Sequence, residues 1–345
     1  GSDDKITVYT TRPDTLHGCT FMVLAPEYEG LAALTTAEQK DAVEKYCYEA
    51  STKSAVDRMT NKEKTFLAII IPVVILFFIF NTLPMIKGFI YSLTNYKGYG
   101  SYQFVGFRNY IDLFSDVRVG KSYLFTFKYA LVGTVLVNVL SIIMALALNA
   151  QIRFKSALRG IYFVPNILGG LVVGYIFSFF FTYILPAVGD TFNISWLQNS
   201  ILASEKYAWI AVIVVGVWQA VAMNTIIYIS GLQTVPEEVY EASMLDGVNK
   251  WQQFWKVTFP LIMPFVTINL VLSTKNMLMV FDQIMSLTKG GPAQSTESIS
   301  YLIYQNGMSG GQFGFQSANA VIFFLIIVGI SLFQMTVLNK KEEQL

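Results

Sequence analysis

The stretch EASMLDG at residues 241–247 is a polar interruption between two long apolar segments, and it carries signals that begin and end a helix. Thr234 can cap a helix N-terminus, with Glu237 three residues later as in a capping box. Gly247 suits a helix end, where a residue with positive φ is common. These signals predict a short surface helix over 235–246.

A second helix start follows, because Gln252 stands three residues after Asn249 in another capping-box arrangement. Trp251, Phe254 and Trp255 then place aromatic side chains at helical spacing. Two short helices in a polar loop between apolar segments are typical of a docking surface for another protein. An ordinary capped loop helix is the alternative that these signals leave open.

The composition is typical of a membrane protein. Hydrophobic residues make up 54% of the 345 residues and charged residues 14%, whereas soluble domains carry about 25% charged residues. A net charge of +1 gives no reason to expect nucleic-acid binding. The one histidine, His17, lies outside the apolar part, so a histidine-based catalytic centre there is excluded. The two cysteines, Cys19 and Cys47, match no metal or disulfide framework. The run at 290–296 lacks the Gly-Lys-Ser/Thr ending of a phosphate-binding loop, so ATP binding by that route is not expected.

Six segments are apolar and long enough to cross a bilayer, which takes about 20 residues in a helix. They predict an all-α integral membrane protein with six transmembrane helices and both termini on one side. The predicted spans are 66–86, 129–149, 160–189, 207–235, 261–287 and 320–338. Lys275 and Asp282 interrupt the fifth span, and we expect them to pair with each other rather than to contact substrate or a gate.

The basic residues divide almost evenly between the two sides of this arrangement, nine against eight, so the positive-inside rule decides little by count. The short turn 150–159 carries three of them, which favours cytoplasmic termini and a cytoplasmic loop 236–260.

Residues 1–58 differ from the rest of the chain and predict a short α+β-like fragment, with strands at 6–10 and 20–24 and a polar helix over 36–58. The run TTRPDT at 10–15 and the residues that follow resemble part of the editing domain of leucyl-tRNA synthetase.

The family's downstream acidic residue and its catalytic core are not evident in this block, and a piece this short buries little core. We therefore interpret the block as a fusion or gene-joining artefact without activity, with aminoacyl-tRNA editing as the alternative. Met59 resembles a natural start, so 59–345 is interpreted as the membrane domain.

The loop 236–260 resembles the EAA loop of ABC importer permeases, because Glu-Ala-Ala, Gly and the closing Leu-Pro keep the family's spacing, with Ser243 and Phe259 as replacements. The resemblance implies that the loop inserts into a cleft on a cytoplasmic ATPase, with Glu241 bonding to that cleft. The residues expected to couple to the ATPase are Glu241, Ala242, Ser243, Met244, Leu245, Gly247 and Pro260.

Further stretches resemble carbohydrate importer permeases: VGFRNY at 105–110, RGIYFVP at 159–165, the FDQI and LTKGGPAQSTE runs within 280–297, and FGF with ANA within 313–320. The set is similar to the maltose-type family of binding-protein-dependent sugar uptake permeases, over residues 66–338.

The family resemblance implies a bacterial cell-membrane permease subunit that is not an enzyme, binds no cofactor and imports a carbohydrate, an oligosaccharide rather than a monosaccharide. The implied partners are a second permease subunit, two cytoplasmic ATPases that bind ATP, membrane lipid, and an external sugar-binding protein docking on 87–128, 190–206 and 288–319. A secondary transporter or channel is the alternative.

A sugar pathway needs polar side chains and aromatic faces inside the helix bundle. For each asparagine, hydrogen bonding between helices is the competing explanation. The candidates are Asn138, Trp218, Gln219, Asn224, Asn269, Lys275 and Asn276.

Overall fold

The computed structural model describes residues 31, 35–52, 61–150 and 155–342, and every regular element within those ranges is helical. The chain divides into two compact units, Gly1–Leu83 and Pro84–Leu345. The predicted strands at 6–10 and 20–24 lie outside the described residues. Within the predicted helix 36–58, the structure has a helix at Lys40–Thr52.

Several helices follow one another through a single π-helical segment, whereas longer connections run over 93–107, 192–207 and 279–298. In chain order they are α1 (Lys40–Thr52), α2 (Asn61–Phe77), α3 (Leu83–Ser92), α4 (Arg108–Ser115), α5 (Val117–Asn149), α6 (Lys155–Ile167), α7 (Gly170–Phe179), α8 (Leu185–Thr191), α9 (Ala208–Leu232), α10 (Glu237–Leu245), α11 (Lys250–Gln253), α12 (Phe259–Leu261), α13 (Met263–Leu278), α14 (Ile299–Tyr304) and α15 (Phe313–Glu342).

Five helical stretches in the described part of the chain are long and apolar enough to cross a membrane. A sixth is obtained when the pair Lys250–Leu261 and Met263–Leu278, bent by 75°, is counted as one span. Pro260 and Pro264 stand in the first turns on either side of the bend, where a missing N–H donor is tolerated. The five stretches are Phe66–Ser92, Val117–Asn149, Gly170–Thr191, Ala208–Leu232 and Phe313–Lys340.

The predicted third span, 160–189, is wrong at its start. Helix α6 ends at Ile167 and α7 begins at Gly170, because Gly169 adopts an extended ψ of 137° between them. The sequence stays apolar through this break, and its one sign of a helix end is the pair of adjacent glycines. Glycine adopts a non-helical backbone at little conformational cost.

Helices α5, α9 and α13 approach closely where glycines face larger side chains. A Cβ on Gly133 of α5 would lie 2.7 Å from the sulfur of Met277 in α13, so a larger residue there would displace the Met277 side chain. Gly231 of α9 admits the ring of Phe265 in the same way, at 2.6 Å. Small residues at helix crossings are typical of membrane bundles, because they let dispersion contacts extend to the backbone.

The corner after α3 is held by one side chain, Asn109 of the VGFRNY stretch. Its amide donates to the carbonyl oxygens of Ser92 and Thr94, both at 2.8 Å. The hydroxyls of Tyr110 and Ser92 lie 2.7 Å apart, and Gly106 has a φ of 62° that favours glycine. The side-chain bonds of Asn109 and the positive φ of Gly106 therefore both shape this corner.

The GGPAQST run forms a compact loop between α13 and α14. The Thr296 hydroxyl contacts the Thr288 hydroxyl at 2.8 Å and the Gly291 carbonyl at 2.6 Å, and the Ser298 hydroxyl donates to Val280 O at 2.8 Å. The residues of this loop with positive φ are Lys289, Gly290, Ala293 and Gln294.

Glu297 ends this loop and forms a buried ion pair with the first turn of α5. Arg118 donates from Nε to Oε2 at 2.9 Å and from Nη2 to Oε1 at 2.7 Å, a two-point contact. Glu297 is 3% exposed, while the Arg118 side chain is 37% exposed. The Ser122 hydroxyl adds a third donor at 3.3 Å.

We expect Glu297→Gln to lower the free energy of unfolding by about 1.5–3 kcal/mol, since it removes the charge-assisted two-point contact with Arg118. Denaturant unfolding in detergent micelles, followed by circular dichroism, measures the loss. Asp112→Asn is the matched control, because Asp112 meets Arg108 at 3.7 Å with both side chains more than half exposed, and such pairs contribute about 1 kcal/mol or less. Equal effects of the two variants would show that the buried pair has no special role.

Candidate functional site: a loop with two short helices and an amide-lined pocket

Helix α10 begins differently from the prediction. Pro236 stands at its N-cap position without a side-chain cap, and the Thr234 hydroxyl donates back to Gly231 O at 2.7 Å. The predicted capping box of Thr234 with Glu237 is therefore wrong, because the last turn of α9 has already taken up the hydroxyl. Pro236 instead has an extended ψ of 142°, and its carbonyl oxygen accepts from Val239 N–H at 3.2 Å in the first turn.

The C-terminus of α10 closes as predicted on Gly247. Val248 N–H donates to Ser243 O at 3.3 Å and Gly247 N–H donates to Met244 O at 3.1 Å, the two bonds of a Schellman motif. Gly247 has a φ of 73°, which a side chain would strain. The predicted positive φ is confirmed, and so is the second capping box, because Asn249 and Gln252 bond reciprocally at 2.9 and 3.2 Å.

Ser243 fastens the two helices of the loop to each other. Its hydroxyl accepts from Gln253 Nε2 at 2.6 Å and donates to Tyr240 O at 2.7 Å, and the residue is 7% exposed. Of the seven predicted coupling residues, Ser243 thus faces inward. Met244 and Leu245 face outward, 61% and 90% exposed.

The outer face of α10 also carries Glu241 and Ala242, both exposed, while Pro260 lies half-buried where the loop returns to the bundle. Trp255 packs between Trp251 and Phe259, with ring centroids 5.7 and 5.1 Å away. The loop is therefore held together by its own hydrogen bonds and aromatic contacts, and it presents apolar and acidic side chains on its outer face.

A pocket of about 250 Å³ opens among α5, α9, the α6–α7 break and the end of α13. Four carboxamides converge on it, and Gln283 donates to Gln219 Oε1 at 2.8 Å. Neutral donors and acceptors beside an aromatic ring suit a ligand rich in hydroxyl groups. The lining residues are Tyr129, Asn166, Leu168, Gly170, Gly216, Gln219, Ala220, Asn276, Met277, Val280 and Gln283.

Two predicted pathway residues, Gln219 and Asn276, line this pocket. The pocket residues Tyr129, Asn166 and Gln283 were missed. Tyr129 begins the uncharged part of α5, and its buried hydroxyl has no hydrogen-bond partner in the described part of the chain. Asn166 and Gln283 stand in or next to the RGIYFVP and FDQI stretches, which was the available signal.

Three predicted pathway residues, Asn138, Asn224 and Asn269, instead lie where α5, α9 and α13 bond to one another. The Asn138 side chain accepts from Tyr228 OH at 2.7 Å and donates to Ser273 Oγ at 2.8 Å. Ser273 Oγ donates to Asn269 O at 2.6 Å, and Asn269 Nδ2 donates to the Asn224 carbonyl at 3.3 Å. These hydrogen bonds link α5, α9 and α13, so the competing explanation of interhelical bonding describes Asn138 and Asn269 better, whereas the Asn224 side chain donates to Ala220 O of its own helix at 2.9 Å.

The remaining two candidates lie outside the pocket lining. Trp218 packs edge-on against Phe177, with ring centroids 5.2 Å apart. Lys275 is exposed, and the expected pairing with Asp282 is wrong: the structure has no ion pair between them. Helix α13 ends at Leu278, so the two residues do not share a helical face.

Asp282 packs against the start of α7 instead. A Cβ on Gly170 would collide with the Asp282 carboxylate, and one on Gly174 would collide with Ser286. The two glycines, one helical turn apart, therefore let α7 lie directly on the 282–286 segment beside the pocket.

Comparison with known proteins agrees with this architecture. Residues 137–343 match the family model described as binding-protein-dependent transport system inner membrane component. Residues 1–73 match the editing domain of leucyl-tRNA synthetase.

The chain is 40% identical over 291 residues to the multiple sugar-binding transport system permease protein MsmF of Streptococcus mutans, covering 84% of this chain and 99% of that protein. It is 35% identical to the probable starch degradation products transport system permease protein AmyD of Thermoanaerobacterium thermosulfurigenes, covering 76% and 90%.

Among solved structures, the bacterial alginate ABC transporter in complex with alginate pentasaccharide-bound periplasmic protein matches with a TM-score of 0.66 at 21% identity, covering 79% of this chain and 93% of that one. That likeness concerns the fold, while the family model and the relatives concern the lineage. The chain belongs to the family of inner membrane components of binding-protein-dependent transport systems, and it is a transporter permease rather than an enzyme.

Proposed function

We propose that the chain imports a neutral carbohydrate, an oligosaccharide rather than a monosaccharide, as one of two permease subunits of an ATP-driven importer. The observation that carries this proposal is the pocket itself: four carboxamides and a tyrosine, with no charged side chain in its lining. The relatives named for multiple sugars and starch degradation products support the substrate class.

The carboxamides of the pocket would bind sugar hydroxyls, and the Tyr129 hydroxyl supplies a donor that nothing in the described residues satisfies. The pocket belongs to one chain, and we propose that a second permease subunit closes it from the opposite side. A periplasmic or lipid-anchored sugar-binding protein would dock on 87–128, 190–206 and 288–319.

We expect Asn276→Ala and Gln283→Ala each to reduce uptake about tenfold, because losing one hydrogen bond to a neutral hydroxyl costs about 1.4 kcal/mol. Cells expressing the assembled transporter would be assayed with radiolabelled maltotriose and raffinose, using whichever the unaltered protein carries. Gln233→Ala is the control, an exposed amide at the end of the helix that carries Gln219. Undiminished uptake by both pocket variants would remove the pocket from the pathway.

The loop 236–260 would couple transport to two cytoplasmic ATPase subunits, which bind the ATP. Burial of Leu245 and Met244 in a cleft would contribute about 1.5–3 kcal/mol each, because both are largely exposed in the chain alone. Glu241 would bond to the cleft. The loop would move as a unit with the ATPase, because three features hold it rigid: the Schellman motif, the capping box and the Ser243–Gln253 bond.

Movement of the loop would be transmitted to the pocket through α13. This helix begins at Met263, directly after the loop, and carries Asn276 about 20 Å further along its axis. Closure of the ATPases would tilt α13 at the 75° bend and alternate the access of the pocket between the two sides.

We expect Leu245→Asp and Glu241→Lys to abolish sugar-stimulated ATP hydrolysis by the assembled complex, at least tenfold below the unaltered protein. Glu238→Lys is the control, an exposed acid on the first turn of the same helix. Normal coupling in both loop variants would contradict the docking role.

We further propose that both termini and the loop 236–260 face the cytoplasm. In a background without Cys19 and Cys47, a Leu245→Cys variant should react with a membrane-impermeant maleimide only after permeabilisation. Labelling of intact cells would place the loop outside and end the proposal, since ATP is inside.

Residues 1–58 would take no part in transport. A chain that begins at Met59 should retain full uptake, because the match to MsmF already covers 99% of that permease with 84% of this chain. Uptake assays on the shortened chain measure this. Loss of uptake at equal membrane abundance would instead assign the block a role.

A further inference from the structure

A second pocket, of about 430 Å³, lies where α5 meets the beginning of α9, and it shares no lining residue with the amide-lined pocket. The proposed sugar pathway does not use it, although five of its lining residues fall within the ranges 87–128, 190–206 and 288–319 proposed to dock the sugar-binding protein. Its lining residues are Phe125, Lys128, Glu205, Lys206, Tyr207, Trp209, Ile210 and Ser295.

The contact of Lys128 with Trp209 sets the level of this pocket in the membrane. The ammonium of Lys128 lies 3.9 Å from the centroid of the Trp209 ring. Lys128 is the last charged residue before the uncharged run 129–149 of α5, a length of about 20 residues that spans the hydrocarbon. Trp209 stands in the first turn of α9. Both side chains therefore lie at one boundary of the hydrocarbon, where lysine and tryptophan are enriched.

The polar groups of the pocket suit an anion. Lys128 and Lys206 supply two ammonium groups, the second 5.4 Å from the Tyr207 ring, against the single carboxylate of Glu205. The Ser295 hydroxyl is buried and has no hydrogen-bond partner among the described residues, so it has a donor to offer. The pocket also lies at the N-terminus of the 25-residue helix α9, where the helix dipole favours negative charge.

We propose that this pocket binds the headgroup of an anionic phospholipid, with the phosphodiester held by Lys128, Lys206 and Ser295. At this level of the bilayer the abundant anion is the lipid phosphate. Phe125 and Ile210 line the same pocket and would contact the start of an acyl chain. Glu205 accepts hydrogen bonds, which suits the hydroxyls of a glycerol headgroup better than a second negative charge.

The test measures phosphatidylglycerol binding to the purified complex in detergent by native mass spectrometry, with phosphatidylcholine as the zwitterionic comparison. We expect the double variant Lys128→Gln, Lys206→Gln to bind phosphatidylglycerol at least fivefold more weakly. Lys121→Gln is the matched control, because Lys121 is exposed two turns earlier on the same side of α5 and does not line the pocket. That variant should bind like the unaltered protein.

Four results would overturn the proposal. Equal binding of phosphatidylcholine and phosphatidylglycerol would mean that acyl chains rather than the anionic headgroup are recognised. Equal losses in Lys121→Gln and the double variant would reduce the effect to overall charge. Unchanged lipid binding by the double variant, together with lost docking of the sugar-binding protein, would assign the pocket to that protein. Displacement of phosphatidylglycerol by millimolar inorganic phosphate would make it a site for free anions.

Discussion

The hydrogen bonds of Asn138 are the interaction on which the arrangement of the bundle depends. In hydrocarbon no water can satisfy a carboxamide, so its oxygen and its amide must find partners on neighbouring helices. Tyr228 and Ser273 provide them, from α9 and α13 respectively. Because these two helices also carry Gln219 and Asn276, the same bonds that satisfy Asn138 fix the spacing of the pocket walls. Glycines at the crossings allow the helices to come close enough for bonds of this length.

The loop illustrates which features a sequence makes visible. The Gly247 stop and the Asn249–Gln252 box depend on residues within a few positions of each other, and both were predictable. Thr234 failed as a cap because the preceding helix competes for its hydroxyl. Ser243 was predicted to face a partner, but Gln253, ten positions later, holds it inside the loop. Contacts between elements decided both outcomes.

The same limit applies inside the membrane. The apolar spans were predictable from composition, and so was the presence of polar side chains among them, of which Gln219 and Asn276 reach the pocket. The sequence could not show that the Asn138 side chain is hydrogen-bonded to neighbouring helices. Those bonds depend on how α5, α9 and α13 are rotated about their axes. Nor could it show that the chain breaks before Gly170 and places Asp282 there rather than beside Lys275.

The α6–α7 break leaves helix-end carbonyl groups without backbone donors beside the pocket. Gln219 donates hydrogen bonds to two of them. Its amide nitrogen donates to Pro165 O at 3.3 Å and to Leu168 O at 3.4 Å, which uses both of its N–H groups. A ligand hydroxyl that accepts from this nitrogen must therefore leave one carbonyl bare. Ligand binding at Gln219 would thus compete with the closure of the α6 end, because the same amide nitrogen would have to serve both.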